Sequence, residues 1–227
     1  MTAETHAAAA ASAAVTGHFG EWLQGRLGPD GPVALVTVPC ARFAATVRRR
    51  SGDGVSLGPR LRQVIDAASA RAFLRAARAD ATGTFELQTA AAGGRGAGMS
   101  TAALLAFARA AGARAGPEAL ARACVAAEGA SDPLMHPSPE RLLWASRLGE
   151  VLDRTPPLPV FELVGGFFGA PEPTDPTDAR FPDISDLAAR WRAAAGQGDR
   201  AALAAVAAAS ARRTTALRGP RDDPMPD

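Results

Sequence analysis

The run Gly93-Gly94-Arg95-Gly96-Ala97-Gly98-Met99-Ser100-Thr101-Ala102 separates two segments of opposite character. TFELQT before it (84–89) alternates like a half-buried strand, and ALLAFARAAG after it reads as a helix. Strand, glycine-rich turn and helix in that order make a phosphate-binding arrangement. Glycines let backbone N–H groups approach an anion closely, and the helix adds the positive end of its dipole. Ser100 and Thr101 stand at the helix start, where a hydroxyl can cap the helix or reach a phosphate or its Mg²⁺. The spacing is not GxGxxG, because Met99 occupies the third glycine position, so a Rossmann fingerprint is excluded. Taken alone, the loop fits a flexible turn with a Ser/Thr N-cap equally well.

Composition narrows the chemistry. The 227 residues suffice for one large or two small domains, and 47% are apolar, so the chain can bury a core. A net charge of +2 argues against a nucleic-acid protein held by a basic field. All 25 basic residues are Arg, and Lys, Tyr and Asn are missing. A Walker P-loop lysine, a protein-kinase strand lysine and Schiff-base chemistry are therefore out. Cys40 and Cys124 lie far apart, and His6, His18 and His136 are scattered without an HExxH, so neither a disulfide framework nor a zinc site is expected. The Ala-rich N-terminus lacks a basic n-region, and no apolar run reaches the ~18 residues of a membrane span. A soluble cytoplasmic protein, with no nucleic-acid or membrane partner, is the default expectation.

Along the chain, 21–27 and 32–38 read as strands around the GPDG turn (28–31). RFAATVRR alternates as a further strand before the SGDG turn (51–54). Residues 59–79 read as one helix with Leu61, Val64, Ile65, Ala68 and Ala72 on a stripe. Helices follow over 100–112 and 117–128, the second with Pro117 in its first turn. Residues 140–154 fit either a helix or a two-stranded ribbon around Leu148-Gly149-Glu150. TPPLP (155–159) reads as a domain boundary, 159–169 as a strand, and 184–195 and 199–212 as helices.

Two further segments carry chemistry. Glu128-Gly129-Ala130-Ser131-Asp132-Pro133 closes the second helix and holds two carboxylates. Phosphoryl transfer needs acids of this kind, one for Mg²⁺ and one to position an acceptor hydroxyl. The same residues also spell an ordinary helix C-terminus and Asp-Pro turn. Thr16-Gly17-His18-Phe19-Gly20-Glu21-Trp22-Leu23-Gln24-Gly25 reads as a glycine-interrupted strand that could line a pocket floor, or as an edge strand bulged at Gly20. His18 is read as a hydrogen-bonded structural histidine rather than a catalytic base.

In order and separation the three segments resemble the GHMP kinase superfamily, and within it the branch of bacterial L-threonine kinases of cobalamin synthesis and propanediol utilisation. TGHFGEWLQG resembles that branch's GxxGExxQG segment, GRGAGMSTAA the phosphate loop, and EGASDP the segment with the metal-binding Glu and catalytic Asp. The likeness spans residues 14–170. It implies an α/β (α+β) chain. Residues 14–155 would form a domain like ribosomal protein S5 domain 2, followed by an incomplete ferredoxin-like domain over 156–214. Residues 1–13 and 215–227 would be a disordered leader and tail. It further implies ATP and Mg²⁺ as cofactors, with a small hydroxyl-bearing acceptor, L-threonine first. The amides of Gly94, Arg95, Gly96, Ala97, Gly98, Met99, Ser100 and Thr101 would wrap the triphosphate. Ser100 and Glu128 would ligate Mg²⁺, and Asp132 would orient or deprotonate the acceptor hydroxyl. Glu21 and Gln24 would lie near the substrate. Met99 stands where many members have Ser, Ala103 stands where this branch often has Asp, and the chain stops before the superfamily's third, glycine-rich motif. A kinase of another alcohol such as homoserine, a nucleotide-binding or regulatory protein without catalysis, and an S5-like fold with no nucleotide site remain open. A shortened second domain would leave an unpaired sheet edge that a second copy of the chain could cover.

Overall fold

β1 (Ser12–Arg26) and β2 (Val33–Arg50) form one long antiparallel hairpin around the 28–31 turn, where Gly28 takes a φ of +82°. The computed structural model describes residues 11–79, 81–90, 94, 96–167 and 175–219, and this hairpin is the spine of their six-stranded mixed sheet. The β2 strand carries two partners end to end on its other side. Its second half, Ala45–Arg50, pairs antiparallel with β4 (Gly83–Thr89), and Ala34 and Leu35 pair with β5 (Leu142–Ala145). A short β3 (Val55–Leu57) lies parallel to β4, and β6 (Glu150–Arg154) closes the opposite end against β5.

Helices cover both faces. On one face α2 (Ala67–Ala76), α3 (Met99–Ala110) and α4 (Pro117–Glu128) bury Leu35, Ala45, Val47, Phe85 and Leu87. Phe107 of α3 sits between Phe73, 6.0 Å away and stacked, and Phe85, 4.8 Å away and edge-on. Only Ser100 and Arg109 of α3 are exposed, the signature of a helix buried all round. Its N-terminus is therefore fixed by the whole core. On the other face α5 (Ser185–Gln197) and α6 (Arg200–Arg218) pack Ile184, Leu187, Trp191, Leu203 and Val206 against Leu23, Ala34, Val36 and Leu143. The Ser210 hydroxyl of α6 accepts the Gln24 N–H at 3.0 Å, and Thr214 Oγ1 donates to the Gln24 carbonyl at 3.2 Å. Side chains of α6 thus satisfy an outer edge of β1 that has no strand partner among the described residues.

The architecture is mixed α/β, as expected, with several local differences. The helix expected over 59–79 is two: α1 (Pro59–Arg62) and α2, separated at Gln63–Asp66. Asp66 causes the break, because its carboxylate accepts the N–H groups of Ala68 and Ser69 and caps α2. The ambiguous 140–154 segment is the ribbon β5–β6, turning at Gly149 with φ +67°. No strand forms over 159–167, and residues 168–169 of the expected strand lie outside the described residues. Pro159 removes a ladder donor at the start of the segment, and Pro156 and Pro157 precede it. It is held instead by rings, with Phe161 5.0 Å from Trp22 and Phe167 5.4 Å from Phe43. Ser12 and Ala13, expected in the leader, begin β1, and α6 runs on to Arg218. Residues 1–10 and 220–227 lie outside the described residues. No helix among the described residues is long and apolar enough to cross a membrane.

Candidate active site

Three chain segments converge on a cleft of about 980 Å³. The first is the glycine run where it enters α3. Gly94, Gly96 and Gly98 all take positive φ (+75°, +60° and +63°), a conformation that disfavours any side chain. Gly98 is the N-cap residue of α3, so the N–H groups of Met99, Ser100 and Thr101 form the free first turn. At Gly98 even a methyl group has no room: it would sit 2.7 Å from His18 Nε2 and 3.0 Å from Asp132 Oδ2. Ser100 is exposed, whereas Met99 and Thr101 are buried. Gly94, Gly96, Ala97, Gly98, Met99, Ser100 and Thr101 all line the cleft. Arg95, also expected there, lies outside the described residues.

The second segment is the end of α4. Gly129, in the left-handed conformation, terminates the helix and turns the chain toward α3. Three hydrogen bonds hold Ser131 and Asp132 in place beyond this turn. The Asp132 N–H donates to Thr101 Oγ1 at 3.3 Å, the Ser131 N–H donates to the Ser146 carbonyl at 2.8 Å, and Trp144 Nε1 donates to the Ser131 carbonyl at 2.7 Å. The Glu128 carboxylate is largely buried and its Oε1 has no partner. Burial pushes its pKa up to about 7, the nearby Asp132 charge adds to this, and the Ser100 hydroxyl pulls the other way.

The third segment is β1. Between His18 and Glu21 the strand gains one residue over β2, a bulge at Gly20 with φ +75°. In a regular strand residues three apart point to opposite faces; the extra residue returns Glu21 to the side of His18. His18 is 2% exposed, with Nε2 3.4 Å from Asp132 Oδ2 and Nδ1 3.7 Å from Glu21 Oε1. Burial by itself would lower its pKa, but the two carboxylates overcome that and raise it to about 9. Burial raises Glu21 to about 7, with the His18 charge opposing and the Asp132 charge reinforcing. The backbone N–H of His18 donates to the Ala97 carbonyl at 3.1 Å, which ties this strand to the glycine run. Gln24 lines the same cleft.

Every described residue expected at the site therefore borders one cavity. His18, expected to be a structural histidine, stands between two cleft-lining acids. Thr101, whose hydroxyl was expected to cap the helix or reach a phosphate, uses it to accept the Asp132 N–H. Sequence reasoning missed Ser146 and Arg147 in the cleft wall and the buried Trp144 that holds Ser131, because nothing local marks a strand end as part of a pocket wall.

The donors suit a hard divalent cation beside polyphosphate. Glu128 Oε1 is a buried, unpartnered carboxylate oxygen, the Ser100 hydroxyl is beside it, and the free amides of α3 face the same space. His18, Glu21 and Asp132 also come within 4.8 Å of one another as a three-residue group, in which one imidazole stands between two carboxylates. The sequence matches no protein-family model, and no curated protein matches it.

Proposed function

We propose that the chain is a GHMP-type small-molecule kinase that transfers a phosphoryl group to the hydroxyl of a metabolite, with L-threonine the leading acceptor. The finer fold assignment, an S5-like domain followed by part of a ferredoxin-like one, belongs to the same reading. The observation that carries it is the meeting of a glycine-lined helix N-terminus with the two acids of the α4 end, fastened by the Asp132–Thr101 hydrogen bond across one cleft.

Mg·ATP, when bound, supplies the transferable phosphoryl group and the divalent charge that offsets its oxygens. The residues that would hold it are the amides at the start of α3, the Ser100 hydroxyl and Glu128. Asp132 is 21% exposed and can accept a hydrogen bond from an acceptor hydroxyl, aligning that oxygen and taking its proton. His18, protonated below about pH 9, fixes the Asp132 carboxylate through Nε2. Glu21 and Gln24 border the acceptor side.

The direct test is acceptor-dependent ADP formation across L-threonine, L-homoserine, L-serine and simple alcohols, with calorimetry of Mg·ATP in parallel. The reading expects turnover with at least one acceptor, and Asp132→Asn reduced about 10²–10⁴-fold with nucleotide affinity within about threefold. Nucleotide binding without any turnover would instead favour a regulatory protein.

A further inference from the structure

Part of the cleft lining comes from Ser146 and Arg147 at the β5–β6 turn and from Pro176 and Phe181. The backbone bond between Ser131 and Ser146 ties the segment that carries Asp132 to the strand end that carries Arg147. Arg147 lines the cleft. Its Nη2 donates to the carbonyls of Asp178 at 3.0 Å and Asp175 at 3.5 Å, and its guanidinium lies 5.9 Å from the Phe181 ring. Those contacts aim the side chain, and Arg147 forms no ion pair among the described residues, although the Asp175 and Asp178 carboxylates lie near enough to favour its charge. Its neighbours differ: Arg180 and Arg218 are both paired to Asp178, and Arg213 is paired to Asp186. The segment that carries Pro176 and Phe181 is itself fastened. The Arg26 N–H donates to the Pro182 carbonyl at 2.8 Å, the Ile184 N–H to the Arg26 carbonyl at 2.9 Å, and Arg218 stacks on Phe181 at 4.0 Å. An oriented, half-buried guanidinium lining the same cleft as the Asp132 carboxylate is suited to a planar anion.

We propose that Arg147 anchors a carboxylate on the acceptor, so the substrate is a hydroxy acid or hydroxyamino acid rather than a sugar or a plain alcohol. The inference rests on the kinase reading for the acceptor's hydroxyl, but the anchor itself concerns binding. With the carboxylate on Arg147 and the hydroxyl toward Asp132, a short acceptor is held at both ends, and Arg147 selects which alcohols reach the reacting oxygen.

The test pairs acceptors that differ only in the carboxylate: L-threonine with L-threoninol, and L-homoserine with its amino-alcohol counterpart. Affinities are measured by calorimetry on the full chain, with and without Mg·ATP, for the native protein, Arg147→Lys and Arg147→Gln. Gln keeps a donor for the Asp178 carbonyl, and circular dichroism checks that each variant is folded. The native protein should bind the carboxylated member of a pair about tenfold or more tightly. Arg147→Gln should erase that preference and Arg147→Lys should keep part of it. A purely structural role would weaken both members equally, and that result overturns the proposal. So does a native protein that binds both members alike or neither. Carboxylate-selective, Arg147-dependent binding without phosphoryl transfer would leave the anchor standing and remove the kinase reading.

Discussion

His18, Glu21, Glu128 and Asp132 bring three acids and one imidazole to a single cleft, and the acids and base do not share the same interests. Glu21 and Glu128 are held near 7 by burial, far above their ordinary value of 4.5, and His18 is held near 9 by its acidic neighbours. A group whose pKa rises on folding stabilises the fold fully below its unfolded pKa and loses that contribution as pH rises through the folded one. For the two glutamates this window runs from about 4.5 to 7, and for His18 from 6.5 to about 9. The metal-free protein should therefore lose melting temperature steadily between pH 5 and pH 9, measured by scanning calorimetry. Glu128→Gln should raise stability at pH 8 by about 1–3 kcal/mol, because it removes a buried charge whose Oε1 has no partner. A melting temperature that climbs over that range would contradict the assignment of these groups. Turnover should decline as pH passes about 9, where His18 gives up its proton. His18→Gln should lack that limb and run up to about 100-fold slower at neutral pH.

Among the elements, α3 matters most, because it carries the free amides, the Ser100 hydroxyl and the Thr101 hydroxyl that fastens Asp132. Thr101→Val keeps volume and removes only that acceptor. Turnover is expected to fall about tenfold while Mg·ATP affinity changes little, and comparable losses in both would move Thr101 from positioning to general packing. Gly98→Ala adds a methyl group against His18 and Asp132 at a positive φ, so both nucleotide binding and stability should suffer. Much of this element's role was legible in the chain itself. The glycine run, the apolar helix and EGASDP are local patterns, and each maps to the element expected. The bulge at Gly20 was readable as an alternative, but its consequence was not. That His18 and Glu21 turn to one side depends on the register against β2, which no local pattern carries. The break at Asp66 was missed because the apolar stripe runs through it, and a single capping carboxylate overrode the periodicity. The extended run 159–167 looked like a strand by composition, yet the prolines before it and its ring contacts decide its path.

At the scale of the whole molecule, the sheet is a divider. One core holds the helices that build the site, and the other is formed by α5 and α6 against β1, β2 and β5. The strand β1 faces both, with Leu23 in the second core and His18 and Glu21 at the cleft. The second core therefore supports the floor of the site. Trp191, 2% exposed and 5.9 Å from Trp22, is its largest member. Trp191→Ala should cost about 3–5 kcal/mol, read by denaturant unfolding, and should loosen the cleft floor with it. Loss of stability below about 1 kcal/mol would mean that α5 and α6 are packed on the sheet without supporting it. The central claim is that the cleft is built for a magnesium–polyphosphate complex, and titration of ATP with and without Mg²⁺ into the native protein and Glu128→Gln tests it most directly. Native protein should bind ATP at least about tenfold more tightly with Mg²⁺ than without, and Glu128→Gln should abolish that difference. Failure of the native protein to bind ATP, or binding indifferent to both Mg²⁺ and Glu128, would contradict it.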